Sequence, residues 1–258
     1  KIIAMKAAPK LCPVTLELGG KNPNIIMSDA DLDIAIPGVI DGMRYTRQGQ
    51  ACTAGSRVYI HEKIYDKVLN GAVEKLSKLK IGNALDEKSD IGAIISEEQL
   101  KRTLYYMDIA KKNSSTKILH GGNQSKGGDY KDGFYYEPTL LSGLPVSSPV
   151  CQEEVFGPVA CAIPFKSFDE VMESANDTQF GLSAVLWTKD LSRALQFVDE
   201  IEAGFVQVNQ CVAPRANVSY GGIKMSGLGK EYAFDSMMNH FTQSKTILIN
   251  RGKSNLDV

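Results

Sequence analysis

Short β-favouring runs alternate with segments of helical period along most of the chain, and this alternation constrains the fold more than any other feature. Residues 14–18, 24–27, 57–61, 117–120, 136–141, 159–164, 184–187 and 205–208 read as strands. Between them, helical spacing covers 31 to about 48, then 62–79, 96–112, 168–177 and 190–201. In 62–79 the period is carried by Ile64, Val68, Leu69, Val73, Leu76 and Leu79. Strands separated by helices pack as a mostly parallel sheet covered on both faces, so the expected fold is a three-layer αβα domain of the α/β class. Local signals add detail. Ser28 or Asp29 is placed to cap the helix starting near Asp31, and Pro37-Gly38 should kink or interrupt it. The first residues read as the end of a helix breaking at Pro9, and 121–137 as an exposed loop or hairpin. Thr246-Ile247-Leu248-Ile249 is a lone apolar strand, and such an edge pairs with something outside its own domain.

Charge and cysteine usage remove several classes of function. With 29 Lys and Arg against 30 Asp and Glu, and no basic cluster interleaved with aromatics, neither nucleic acid nor an anionic membrane surface is an expected partner. No apolar stretch is long enough to span a bilayer, and residues 1–6 lack the apolar core of a secretory signal. A cytoplasmic location is the default. The five cysteines, at 12, 52, 151, 161 and 211, are odd in number and form no CxxC pair, so neither a disulfide framework nor a zinc site is expected. Most should be small buried hydrophobes. His61, His120 and His240 lack metal-ligand spacing, and each reads as a satisfied structural side chain. Gly121-Gly122 and Gly221-Gly222-Ile223-Lys224 match no phosphate-loop pattern, and the second reads as a tight turn.

Three segments carry the chemistry. They are Leu16-Glu17-Leu18-Gly19-Gly20-Lys21, then Gln48-Gly49-Gln50-Ala51-Cys52-Thr53-Ala54-Gly55-Ser56-Arg57, and Glu153-Glu154-Val155-Phe156-Gly157-Pro158. Each alone has a plain reading: a strand-end surface carboxylate, a packed thiol and a solvated loop. Together they occur in a fixed order with Asn22-Pro23, Asp29-Ala30-Asp31-Leu32-Asp33, Phe180-Gly181-Leu182, Gly204 through Asn209, and Tyr220-Gly221-Gly222-Ile223-Lys224-Met225-Ser226-Gly227. In that combination the chain resembles the aldehyde dehydrogenase superfamily over nearly its whole length.

The resemblance implies oxidation of an aldehyde to a carboxylic acid with NAD or NADP as cofactor. Cys52 is then the nucleophile, because hydride leaves readily only from an sp³ carbon bearing an oxyanion, and a thiolate both adds to a carbonyl and leaves a thioester well. Small neighbours give it room, and its position near the end of a long helix would turn backbone amides toward the developing charge. Glu17 takes the part of the base that activates water against the thioester. On the cofactor side the same likeness places Glu154 against the nicotinamide ribose and Phe156 against the ring, with Leu18, Gly19, Gln99 and Arg102 nearby. Glu231 becomes a proton relay behind the base.

By the same comparison, 1–20 ends a cofactor-binding domain, 21–225 is the catalytic domain, 226–241 returns to the cofactor-binding domain, and 242–258 is a tail with an oligomerisation strand. A homo-dimer or homo-tetramer is implied. Full-length relatives carry the cofactor-binding half ahead of where this chain starts, so the chain is expected to bind cofactor weakly and to be nearly idle alone. Arg47 stands where many relatives have Asn. The segment 210–217 is expected to shape the substrate mouth, its small and apolar residues suiting an uncharged aldehyde while Arg215 offers a partner for a carboxylate and Cys211 reads as lining. A non-catalytic scaffold or interaction domain is the alternative from another class. An acylating or thioesterase-like relative fits less well, because Glu17 stands beside the cofactor-facing Glu154 and Phe156.

Overall fold

In the computed structural model, which describes residues 1–250, neighbouring residues along each central strand belong to opposite apolar cores. The chain begins with helix α1 (Ile2–Ala7) and a 3-10 turn at Ala8–Lys10, then runs through strand β1 (Leu16–Glu17), β2 (Pro23–Ile26), helix α2 (Leu32–Met43) and β3 (Arg57–His61). Helices α3 (Tyr65–Leu76) and α4 (Glu97–Lys112) precede β4 (Lys117–His120) and β5 (Thr139–Ser142). The short α5 (Pro149–Gln152) leads to β6 (Val159–Phe165), α6 (Phe168–Asn176), β7 (Phe180–Gly181), β8 (Ser183–Trp187), α7 (Leu191–Glu200) and β9 (Phe205–Val208). After these come β10 (Ile223–Lys224), β11 (Gly227–Leu228) and α8 (Phe234–Phe241).

Seven strands form one sheet in the order β4-β5-β6-β3-β2-β8-β9. Every neighbouring pair is parallel except β4, an antiparallel edge strand on β5. Because side chains alternate across a strand, Ile25, Tyr59, Leu141, Cys161, Ile163 and Leu186 face one core with α4, α5, α6 and α7. Ile26, Val58, Ile60, Leu140, Ala160, Ala162, Val185 and Trp187 face the other core with α2 and α3. The result is the expected three-layer, mostly parallel α/β architecture.

Several local expectations are corrected. Helix α2 stops at Met43, not near Gln48, because Arg44 adopts a left-handed backbone (φ 58°) and closes the helix into a 3-10 turn at Tyr45–Arg47. Pro37 lies inside α2 without ending it. The cap is Asp31, whose side chain accepts from the Asp33 amide at 3.1 Å; Asp29 instead accepts from the Thr188 hydroxyl and the Lys189 amide. The strand expected over 14–18 shrinks to Leu16–Glu17. Residues 246–249 adopt no strand, and Ile247, Leu248 and Ile249 lie exposed, paired with no strand among the described residues. Cys151 and Cys161 are buried as expected, whereas Cys12 is exposed. The three histidines are each engaged: His61 Nδ1 accepts from the Lys63 amide, His120 Nδ1 meets the Pro138 carbonyl, and His240 Nε2 meets Thr15 Oγ1. Among the described residues no helix is long and apolar enough to cross a membrane, and no group of three His, Cys, Asp or Glu is placed to hold a metal.

Gly38 shows how closely α2 is seated. A Cβ at this position would fall within the ring of Trp187, whose Nε1 donates to Asn24 Oδ1 at 2.7 Å while Asn24 Nδ2 donates to the Gly38 carbonyl at 3.1 Å. Gly38→Ala must therefore push the helix off the sheet, an overpacking cost of about 1–3 kcal/mol. The expected result is a lower melting temperature and an altered emission from Trp187, the sole tryptophan, in a thermal denaturation followed by fluorescence.

Candidate active site

The three chemical segments converge at the amino-terminal edge of the parallel strands. Gly20 precedes β2, Cys52 precedes β3 and Glu154 precedes β6. Gly20 is where they touch. Its amide donates to Glu154 Oε1 at 3.0 Å, and a Cβ on it would stand 2.5 Å from the Cys52 carbonyl oxygen. A side chain at position 20 would force the loops apart. Gly19 is equally restricted, since a Cβ there would run into the Glu154 carboxylate.

Cys52 is partly exposed and lies in the loop between α2 and β3. It does not sit at a helix end as expected. The end of α2 that approaches this edge is also its carboxyl end, where the helix dipole is negative and gives no help to an anion. Local groups hold the loop instead. Asn22 Nδ2 donates to the carbonyls of Cys52 (2.7 Å) and Ala54 (2.9 Å), and Asn22 Oδ1 accepts from the Ser183 amide at 2.8 Å. Cys52 Sγ lies 3.4 Å from the phenol oxygen of Tyr220.

Glu17 is held by antiparallel pairing of β1 with β11, with Glu17 opposite Gly227, and by the Leu18 amide on the Ser226 carbonyl. Both of its carboxylate oxygens are closed from solvent, and neither makes a hydrogen bond of ordinary geometry. Burial raises its pKa above the usual 4.5, and the neighbouring Glu231 carboxylate adds to the rise. The Lys230 ammonium and the Gly222 amide pull the other way. A carboxyl group raised in this way favours the protonated form in the folded chain. Its contribution to stability is complete below the unfolded value near 4.5 and is lost as the pH rises through the higher folded value. Glu17→Gln removes that loss, so the variant is expected to melt above the parent at pH 8 and to converge with it toward pH 4, as calorimetry at both pH values would record.

The residues around Glu154 form a clamped loop. Glu154 has a pKa raised by burial, opposed by the Gly20 amide and by the charges of Arg102 and Lys21. Gln99 Nε2 donates to the carbonyls of Val155 (3.0 Å) and Phe156 (2.8 Å), and Arg102 donates to the Glu154 carbonyl at 2.5 Å. Three consecutive carbonyls are therefore gripped from α4, and Phe156 is held in a left-handed backbone with φ 56°. For a residue with a Cβ that conformation costs about 1–2 kcal/mol. Gln99 and Arg102 face this loop directly. Leu18 is partly exposed beside it.

A fourth segment completes the edge. Tyr220 and Glu231 exchange both backbone hydrogen bonds, Tyr220 N to Glu231 O at 3.0 Å and the reverse at 2.7 Å, which sets Glu231 behind Glu17. Lys230 donates to the Gly221 carbonyl. Asn22, Tyr220 and Lys230 join the site only through the fold. Asn22 had a visible signal, an amide entering a fully buried strand, whereas nothing local marks where the Tyr220 hydroxyl points. Arg44, from the end of α2, donates to the carbonyls of Cys211 and Val212 and so fixes the start of the 210–217 segment.

A thiol, a shielded carboxylate and a phenol are thus grouped at one edge of a three-layer α/β sheet. Residues 1–247 match the profile of the Aldehyde dehydrogenase family, and the chain belongs to that family. It is 39% identical over 255 residues to an aldehyde dehydrogenase of Rhodospirillum rubrum, covering 96% of this chain and 50% of the relative. It is 37% identical to a betaine aldehyde dehydrogenase of Brucella melitensis, over 97% of this chain and 51% of that protein. Among solved structures, the betaine aldehyde dehydrogenase of Staphylococcus aureus in complex with NAD+ superposes with a TM-score of 0.87 at 35% identity, over 92% of this chain and 46% of that one. The chain spans about half the length of the curated relatives it matches.

Proposed function

We propose that this chain carries the thiol and hydrolytic chemistry of an NAD(P)-dependent oxidation of an aldehyde to a carboxylic acid. The observation that carries the reading is Gly20, which contacts both the Cys52 loop and Glu154 while standing three residues from Glu17. In the first step the Cys52 thiolate bonds to the aldehyde carbon and the carbonyl π pair moves onto oxygen. Bound NAD or NADP supplies the acceptor for the hydride that leaves this carbon as the oxyanion collapses to a thioester. Glu17 then takes a proton from water as the water oxygen adds to the thioester carbon. The C–S bond breaks, the acid departs and the thiolate is restored. A carboxylate that is desolvated and of raised pKa is a stronger base than one in bulk water, which suits Glu17 to this step.

The residues at the Glu154 edge fit the nicotinamide end of such a cofactor. One Glu154 oxygen is engaged by Gly20, no donor among the described residues is recorded on the other, and the carboxylate sits where a Cβ at position 19 would stand. A carboxylate of this kind accepts from ribose hydroxyls, and the partly exposed Phe156 ring offers an apolar face to a planar group. The clamp from Gln99 and Arg102 keeps both in place. The remainder of the cofactor would be held by the half of the relatives' length that this chain does not span, so turnover is assigned to a form carrying both halves. The exposed Ile247, Leu248 and Ile249 are assigned to pairing with a second copy. The small and apolar residues of 210–217 favour an uncharged aldehyde.

The test is to supply a panel of aldehydes with NAD or NADP to such a form, follow reduced nicotinamide, and map acylated peptides by mass spectrometry. Aldehyde-dependent reduction with acyl groups on Cys52 is expected. No reduction with any aldehyde would leave the scaffold reading in its place.

A further inference from the structure

Tyr220 is the one side chain whose polar atom touches Cys52 Sγ among the described residues. We infer that the Tyr220 phenol is a positioning residue that donates its hydrogen bond to the Cys52 thiolate and holds it ready for attack, an inference that rests on Cys52 being the nucleophile. The geometry supports the assignment in three ways. The phenol oxygen lies 3.4 Å from Sγ, a normal distance for an O–H to sulfur contact. The ring is fixed, 6% exposed, edge-on to Phe205 at 5.5 Å and to Tyr232 at 5.6 Å, with its backbone paired to Glu231. And α2 presents its negative end to this edge, so the developing thiolate needs a donor from elsewhere.

The direction of the bond follows from the charges around it. Burial, the contact with Cys52 and the nearby Glu17 all push the Tyr220 phenol well above its ordinary range, so it stays protonated. A thiolate has no proton to give, so the phenol must be the donor once Cys52 ionises. A hydrogen bond to a charged acceptor is among the stronger kinds, and losing it is expected to lower the fraction of Cys52 present as thiolate, slowing its alkylation at neutral pH up to about tenfold.

The experiment uses the chain itself and iodoacetamide, whose carbon is attacked by the thiolate with loss of iodide. Alkylation of the Cys52 peptide is timed by mass spectrometry from pH 5 to 10, with the exposed Cys12 as internal reference. Two variants act in opposite directions. Tyr220→Phe keeps the ring contacts but removes the donor, and is expected to slow Cys52 about tenfold at neutral pH and to move its rate profile to higher pH. Replacing Tyr220 with 3-fluorotyrosine keeps the shape with a stronger donor, and is expected to move the profile to lower pH. A purely structural role would not shift the two in opposite directions. If Cys52 in the parent chain reacts no faster than Cys12, the nucleophile assignment fails and this inference falls with it. If Cys52 is selectively reactive but both variants keep the parent profile, Tyr220 is not its donor.

Discussion

Cys52→Ala, in a form of the protein that turns over aldehyde, is expected to lower steady reduction of cofactor by about four orders of magnitude or more. Glu17→Gln should behave differently. It leaves thiol addition and hydride departure intact, so stopped-flow absorbance is expected to record one burst of reduced nicotinamide per site. Steady turnover then falls by about 10²–10⁴, the range for loss of a general base. The contrast follows from the site. In the proposed cycle Cys52 would form the bond to carbon in the first half and release it in the second, whereas Glu17, with its shielded oxygens and raised pKa, would be needed only when water must lose a proton. The acyl group should accumulate on Cys52 in the Gln variant and be visible as added mass. A Gln variant without a burst would show that Glu17 acts before the thioester, and a Cys52→Ala variant with full turnover would remove the mechanism.

Asn22→Ala is expected to have the largest effect on the fold for so small a change. The Asn22 side chain makes three hydrogen bonds, to the carbonyls of Cys52 and Ala54 and from the amide of Ser183, and it is 3% exposed. Removing it leaves the Ser183 amide and the Cys52 carbonyl without this partner, while the Ala54 carbonyl keeps the Ser56 amide, and each buried unpaired group costs about 1–3 kcal/mol. With some relief from local adjustment, a loss of about 3 kcal/mol and a fall in melting temperature of roughly 10 °C are expected. The same three bonds tie the Cys52 loop to the entry of β2 and β8, so selective alkylation of Cys52 should weaken along with stability. An Asn22→Asp variant keeps the acceptor for Ser183 but sets a carboxylate oxygen against the Cys52 and Ala54 carbonyls in a buried place, and should lose at least as much stability as Asn22→Ala.

The segments that meet at the site were legible in the sequence because they are short contiguous motifs. Cys52 among small residues, Glu17 before two glycines, and Glu154 two residues ahead of Phe156 each sit in one segment whose composition reports the constraint. The alternation of strand and helix was legible for a similar reason: burial on both faces of a parallel sheet demands apolar residues at consecutive positions, as in Pro23–Ile26 and Ser183–Trp187. The end of α2 was not, because it depends on the backbone of Arg44, whose side chain bonds to residues far along the chain. Nor was the fate of 246–249, since a strand exists only where a partner edge does.

What the amino-acid sequence determined by itself was the family, the layered α/β class and the three segments that meet at the site, because local periodicity and short motifs encode all three. Tertiary structure alone decided the rest. It placed the site at the amino-terminal edge of the strands, where helix dipoles offer an anion nothing. It turned Gln99 and Arg102 onto the carbonyls of the Glu154–Phe156 loop, and it brought the Tyr220 hydroxyl to Cys52. Each of these depends on contacts between residues 50 to 170 positions apart, or on which end of a helix meets which end of a strand. No local run of sequence records such distances.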